Sequence, residues 1–124
     1  MSTRQDKIPS MMTELPGPEA RKVLEKDQKF VSQSYTRVYP LVVKRAKGAV
    51  VEDVDSNRFL DFTSGIAVCN TGHCHPRVVE AIKVQAEQFI HMSGTDFYYD
   101  VQSTLAQKLG AITPGPTEKR VFFG

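Results

Sequence analysis

Residues 69–75 of this sequence hold two thiols and two imidazoles, Cys69, His73, Cys74 and His75, in the stretch CNTGHCHP, and a third imidazole, His91, follows further along. Thiolate and imidazole are the ligand types of structural zinc. The spacing argues otherwise. Structural zinc draws its ligands from two separated pairs, such as C-x2-C and H-x3-H. Here His73 and His75 straddle Cys74 on one turn, Cys69 lies beyond Gly72, and His91 is alone at the end of a helix. The same residues read well as a turn. Gly72 admits backbone conformations that other residues resist, His75 and Pro76 launch a helix, and the cysteines serve as small packing residues. The expectation is no metal ligand among them.

The elements that position this turn follow from pattern. Residues 1–17 are polar and broken by Pro9 and Pro16, and read as a flexible arm. Pro18 opens a helix over EARKVLEKDQKFV, acids first and bases later, with Val23, Leu24, Phe30 and Val31 as its apolar edge. YPLVVKRAKG is extended, since Pro40 disfavours helix before it. Ala49–Val54 and Arg58–Phe62 are β-rich runs flanking DSN, which predicts a hairpin. TSGIAVCNTGHCHP has two glycines and no period, and reads as a loop.

Pro76 starts a second helix in which Val79, Ile82, Ala86 and Phe89 make one buried stripe. SGTDFYYD breaks it, and Asp100 caps a third helix with Val101, Leu105, Leu109 and Ile112 on one face. TPGPTEK turns, and RVFFG opens a strand. A strand of Val121, Phe122 and Phe123 wants neighbours and cover, which the remaining sequence does not supply. The chain is therefore read as the front end of a larger protein.

Composition narrows the class. In 124 residues, 40% hydrophobic and 24% charged, the pattern is that of a globular protein. The 16 basic and 14 acidic residues leave a net charge of +2 and no basic stripe, which argues against nucleic acid. No apolar run approaches the roughly 18 residues of a membrane span. Two cysteines without an export signal point to a reducing compartment, with the cytoplasm as default.

EDVDSNRFLDFTSGIAVCNTGHCHPRVVEAIKVQ resembles the N-terminal segment of the class III pyridoxal-phosphate aminotransferases, the ornithine, 4-aminobutyrate and acetylornithine type. That family has an acidic D-x-D-G-N-x-x-x-D hairpin, a small-residue loop, then G-H-x-H-P opening a helix. Asp53, Asp55, Asn57 and Asp61 fill the hairpin, and Gly72, His73, His75 and Pro76 fill the turn. Ser56 stands where the family more often has glycine. The match runs from about Gly17 to Gly124.

The resemblance implies an α/β fold of fold-type I, with a β-hairpin and helices over 18–118 and the first strand of the large cofactor domain at 119–124. It implies pyridoxal 5'-phosphate as cofactor and an ω-amino or basic amino acid as donor. A 2-oxo acid would be the acceptor, and the enzyme a homodimer. Such chemistry needs a Schiff-base lysine, an acid at the pyridine nitrogen and donors for the phosphate. In the family these lie beyond Gly124, so no catalytic or cofactor-binding residue is expected here, and the chain alone is expected to be inactive and poorly stable. The resemblance does place Ile66 and Ala67 over the cofactor. It sets Phe97 and Tyr98 at the border of the substrate pocket, in some relatives that of the neighbouring subunit. For Ile66 and Phe97 the plain alternative is core packing. Two further functions stay open: an amino-acid racemase or epimerase of the same fold, and a stand-alone binding module.

Overall fold

The computed structural model describes residues 7–116 and 118–124. The chain divides into two units, Met1–Lys83 and Val84–Gly124.

The first unit is built on a three-stranded antiparallel sheet, β1 (Val43–Lys47), β2 (Val50–Asp53) and β3 (Arg58–Leu60), in the order β1-β2-β3. Lys47 pairs with Val50 across a two-residue turn, and Gly48 takes φ +57 at its first position, where hairpin turns favour glycine. The register of β1 shifts between Val43 and Arg45, and Val51 pairs with Phe59 on the other side. The sequence reading found the β2–β3 hairpin. It treated residues 39–48 as extended only, and missed that they form a paired strand.

The turn between β2 and β3 is the centre of this unit. Asp53 and Asn57 are fully buried, a costly place for polar groups unless each is hydrogen-bonded. They are. Asp53 Oδ1 accepts from the amides of Asp55 (2.9 Å) and Asn57 (2.7 Å), and Asn57 Nδ2 donates to Asp53 Oδ2 at 2.8 Å. Asn57 Oδ1 accepts from the amides of Met12 (2.6 Å) and Thr13 (2.9 Å), and Nδ2 also donates to Thr13 Oγ1 at 2.9 Å. Ser10 and Arg58 exchange backbone hydrogen bonds. The segment expected as a flexible arm to residue 17 is thus tied to the hairpin from Ser10 onward, and residues 1–6 lie outside the described residues.

Asp55 from the same turn reaches helix α1 (Pro18–Phe30). Its two carboxylate oxygens accept from the amides of Glu19 and Ala20, both at 2.9 Å, doing the work of an N-cap from 36 and 35 residues away. Gly17 leaves the room for this, since a Cβ there would lie 2.4 Å from Asp55 Cγ. Ala20 is buried, but Phe30 of the expected apolar edge is exposed.

Helix α3 (Pro76–Gln88) begins at Pro76 as expected, with the His75 carbonyl accepting from Val78 and Val79. Of its expected apolar stripe, Ile82 and Ala86 are exposed, whereas Val79 and Phe89 are half-buried. In the second unit, α4 spans Asp100–Ile112. Tyr99 occupies the N-cap position with no side-chain bond, and Asp100 sits inside the first turn, where it accepts from Thr104 Oγ1. The expected Asp100 cap is therefore shifted by one residue. Val101, Leu105 and Ile112 are exposed. Lys119 Nζ closes the far end of α4 by donating to the carbonyls of Gly110 and Thr113. Val121–Phe123 form no strand, because a strand exists only through its partner's hydrogen bonds and none pairs with them among the described residues. Among the described residues no helix is long and apolar enough to cross a membrane.

Candidate functional site

Between the sheet and α3 the chain does something few L-residues tolerate. Element α2, Ser64–Ala67, has the hydrogen bonds of one helical turn, from Ala67 N to Thr63 O and from Val68 N to Ser64 O. Yet its φ values are all positive: 55 at Ser64, 63 at Gly65, 63 at Ile66 and 60 at Ala67. It is a left-handed turn. Gly65 adopts this freely, but Ser64, Ile66 and Ala67 each give up about 1–2 kcal/mol through Cβ–carbonyl crowding. For a β-branched residue such as Ile66 the conformation is a true outlier. The sequence reading expected an irregular loop here, and nothing in residue periodicity announces a left-handed turn.

Asp61 holds the entry to it. Asp61 Oδ1 accepts from the amide and hydroxyl of Thr63, both at 2.8 Å, and Oδ2 accepts from the Gly65 amide at 3.0 Å. His73 Nε2 lies 2.6 Å from Oδ2. An ionised carboxylate can only accept, so Nε2 carries the proton and donates it. These donors, His73 first and then Thr63, hold the Asp61 carboxyl well below the usual carboxylate range. His73 is itself pinned to the sheet, for Gly48 and His73 exchange backbone hydrogen bonds of 2.9 Å in each direction. The imidazole weighed as a zinc ligand is thus engaged with Asp61. Cys69 is half-buried and Cys74 exposed, both as free thiols.

The outcome is an apolar prong. Ile66 is 86% exposed, and Ala67 and Val68 are also exposed. Phe97 and Tyr98 belong to the other unit, in a loop where the Phe97 amide donates to Ser93 O at 3.0 Å. Phe97 is exposed, Tyr98 fully so, and Tyr99 turns inward to meet Phe89 edge-on at 5.8 Å. Each expected pair is contiguous: Ile66 with Ala67 on α2, Phe97 with Tyr98 on the loop. Sequence reasoning missed Asp61 and His73 as a working pair. The Asp61-Phe62-Thr63 spacing was the available signal, since aspartate commonly bonds the amide two residues on.

The fold is that of the N-terminal part of a fold-type I protein. The Aminotransferase class-III family matches residues 30–124, and the chain belongs to it. It is 48% identical over 108 residues to an acetylornithine aminotransferase of Methanosarcina acetivorans, covering 86% of this chain and 26% of that protein. A 4-aminobutyrate aminotransferase of Mycobacterium bovis is 39% identical over 110 residues, covering 89% and 24%. Among solved structures, the ornithine delta-aminotransferase of Plasmodium falciparum superposes with a TM-score of 0.67 at 28% identity, over 75% of this chain and 24% of that one. The chain spans about a quarter of the length of these relatives.

The family's cofactor asks for a lysine amine, a carboxylate at the ring nitrogen and phosphate donors. From Phe62 to Asn70 the chain has no lysine, arginine, aspartate or glutamate. This loop supplies neither the amine nor the ring-nitrogen carboxylate. Its chemistry fits an apolar wall.

Proposed function

We propose that this chain contributes the N-terminal part of a pyridoxal-phosphate-dependent aminotransferase. The reaction moves an amino group from an ω-amino or basic amino acid, of the 4-aminobutyrate or acetylornithine type, to a 2-oxo acid. In this reading residues 18–118 are the N-terminal segment and 119–124 open the large cofactor domain. The enzyme works as a cytoplasmic homodimer on these two small-molecule partners, without nucleic acid. Ile66 and Ala67 form the wall above the cofactor, and Phe97 and Tyr98 border the substrate pocket of their own or the neighbouring subunit.

The observation that carries the reading is the left-handed turn. Within this chain a β-branched residue stands at φ 63 and 86% exposed, so no packing among the described residues offsets its strain. Strain of this kind concentrates where a side chain must be presented in one direction. Membership of the aminotransferase family gives that direction a use.

The test is amine transfer by the full-length enzyme carrying this segment, with two ω-amino donors that differ in chain length. Ile66→Tyr should change the ratio of their kcat/KM values by about tenfold or more, the worth of a methylene-sized change in pocket shape. The melting temperature should stay put. Equal losses for both donors with a lowered melting temperature would remove Ile66 from the pocket. Inversion of the donor's stereocentre without consumption of the 2-oxo acid would replace the transferase reading with the racemase one.

A further inference from the structure

We infer that Asp61 and His73 are positioning residues that together hold α2 left-handed and so set the direction in which Ile66 and Ala67 are presented. The inference rests on the proposed function only for what that presentation is used for.

Three observations carry it. The first is need: Ser64, Ile66 and Ala67 have positive φ, and nothing in their own residue types favours it. The second is contact. One carboxylate accepts at both ends of the entry, with Thr63 on Oδ1 and the Gly65 amide on Oδ2, so Gly65 is drawn back toward the strand end. The third is rigidity. The oxygen that takes Gly65 also takes His73 Nε2, and an added Cβ at Gly65 would lie 3.8 Å from the His73 ring. His73 is in turn paired through its backbone to Gly48, at the tip of the β1–β2 hairpin. The hairpin tip, the histidine turn and the end of β3 are thereby linked in series to a four-residue turn. Asp61 orients the turn, and His73 orients Asp61. Neither is assigned contact with substrate.

The role predicts a particular pattern of rescue. His73→Gln keeps an N–H donor near the place of Nε2, whereas His73→Leu keeps bulk and loses the donor. Positive φ is read directly in the 124-residue chain by NMR, as intraresidue amide-to-α-proton cross-peaks stronger than the sequential ones. Such cross-peaks are expected at Ile66 and Ala67 in the unmodified chain and in His73→Gln, and are expected to weaken in His73→Leu and Asp61→Asn. Their persistence in both His73→Leu and Asp61→Asn overturns the inference and leaves the pocket reading untouched. Should the variants fail to fold, the unmodified chain decides. A Gly65 amide exchanging as fast as an open loop overturns the clamp, and a protected one supports it.

In the full-length enzyme, His73→Leu should shift the kcat/KM ratio of the two donors by about tenfold, as a change in pocket shape does, and His73→Gln should restore it. A merely structural histidine would lower both values alike. Cross-peaks lost with the donor ratio unchanged would support the clamp and overturn the pocket reading.

Discussion

The unit Met1–Lys83 contains Ala20, Val51, Asp53 and Asn57, all buried, whereas in Val84–Gly124 no described residue is buried. The two units carry comparable amphipathic helices. What separates them is a polar hub. In the first, two side chains with no exposure satisfy each other and reach out to Met12 and Thr13, while Asp55 from the same turn reaches α1. In the second, Val101, Leu105 and Ile112 share a helical face that is left open. A hydrogen-bonded hub completes itself within the chain. An apolar stripe only states which face wants cover.

The largest effect should come from the hub. Asn57→Ala strands the amides of Met12 and Thr13 and one oxygen of Asp53, and buried polar groups without partners make this cost about 2–4 kcal/mol. Urea unfolding followed by circular dichroism measures it, and a loss under 1 kcal/mol would show the hub to be dispensable.

Acid should act on the same unit through Asp61. Its folded-state pKa lies well below the ordinary 3.8, so the unfolded chain takes up the proton first. The stabilisation is fully present above about pH 4 and fades as pH falls further, toward the depressed folded value. Thermal melts between pH 6 and pH 2 should show this decline in the unmodified chain and a shallower one in Asp61→Asn. Parallel curves would mean the carboxylate's four partners contribute nothing.

A smaller effect is expected at α1. Asp55→Ala removes a cap supplied from outside the helix, worth about 1 kcal/mol. Faster hydrogen exchange at Glu19 and Ala20, with the sheet amides unaffected, is the specific sign. The smallest belongs to the second unit. Phe122, 92% exposed, should change to Ser within about 0.5 kcal/mol. A larger loss would mean that its ring is covered in solution.

Local chemistry was legible where it is local. Pro18 and Pro76 mark the first residues of α1 and α3, because the ring fixes the backbone angle a helix start needs. The DSN turn between β-rich runs was read correctly for the same kind of reason. The Asp100 cap missed by one residue, since several polar residues of that loop could begin a helix. The strand at Val121–Phe123 failed because pairing is not a property of one segment. Of the site, Ile66 and Ala67 came from resemblance to a family, whereas Asp61 and His73 were visible only as motif letters.

By itself, the sequence determined the starts of α1 and α3, the β2–β3 hairpin and the family. Each of these is written in residues within a few positions of one another, or in a run long enough to be matched whole. Only the tertiary structure decided that Asp55 caps a helix 35 residues upstream, that Asn57 fastens the N-terminal segment, and that α2 is left-handed. Handedness there goes against the preference of Ser64, Ile66 and Ala67. It comes from outside the turn, where a carboxylate at the end of β3 and an imidazole pinned to the hairpin tip meet at 2.6 Å.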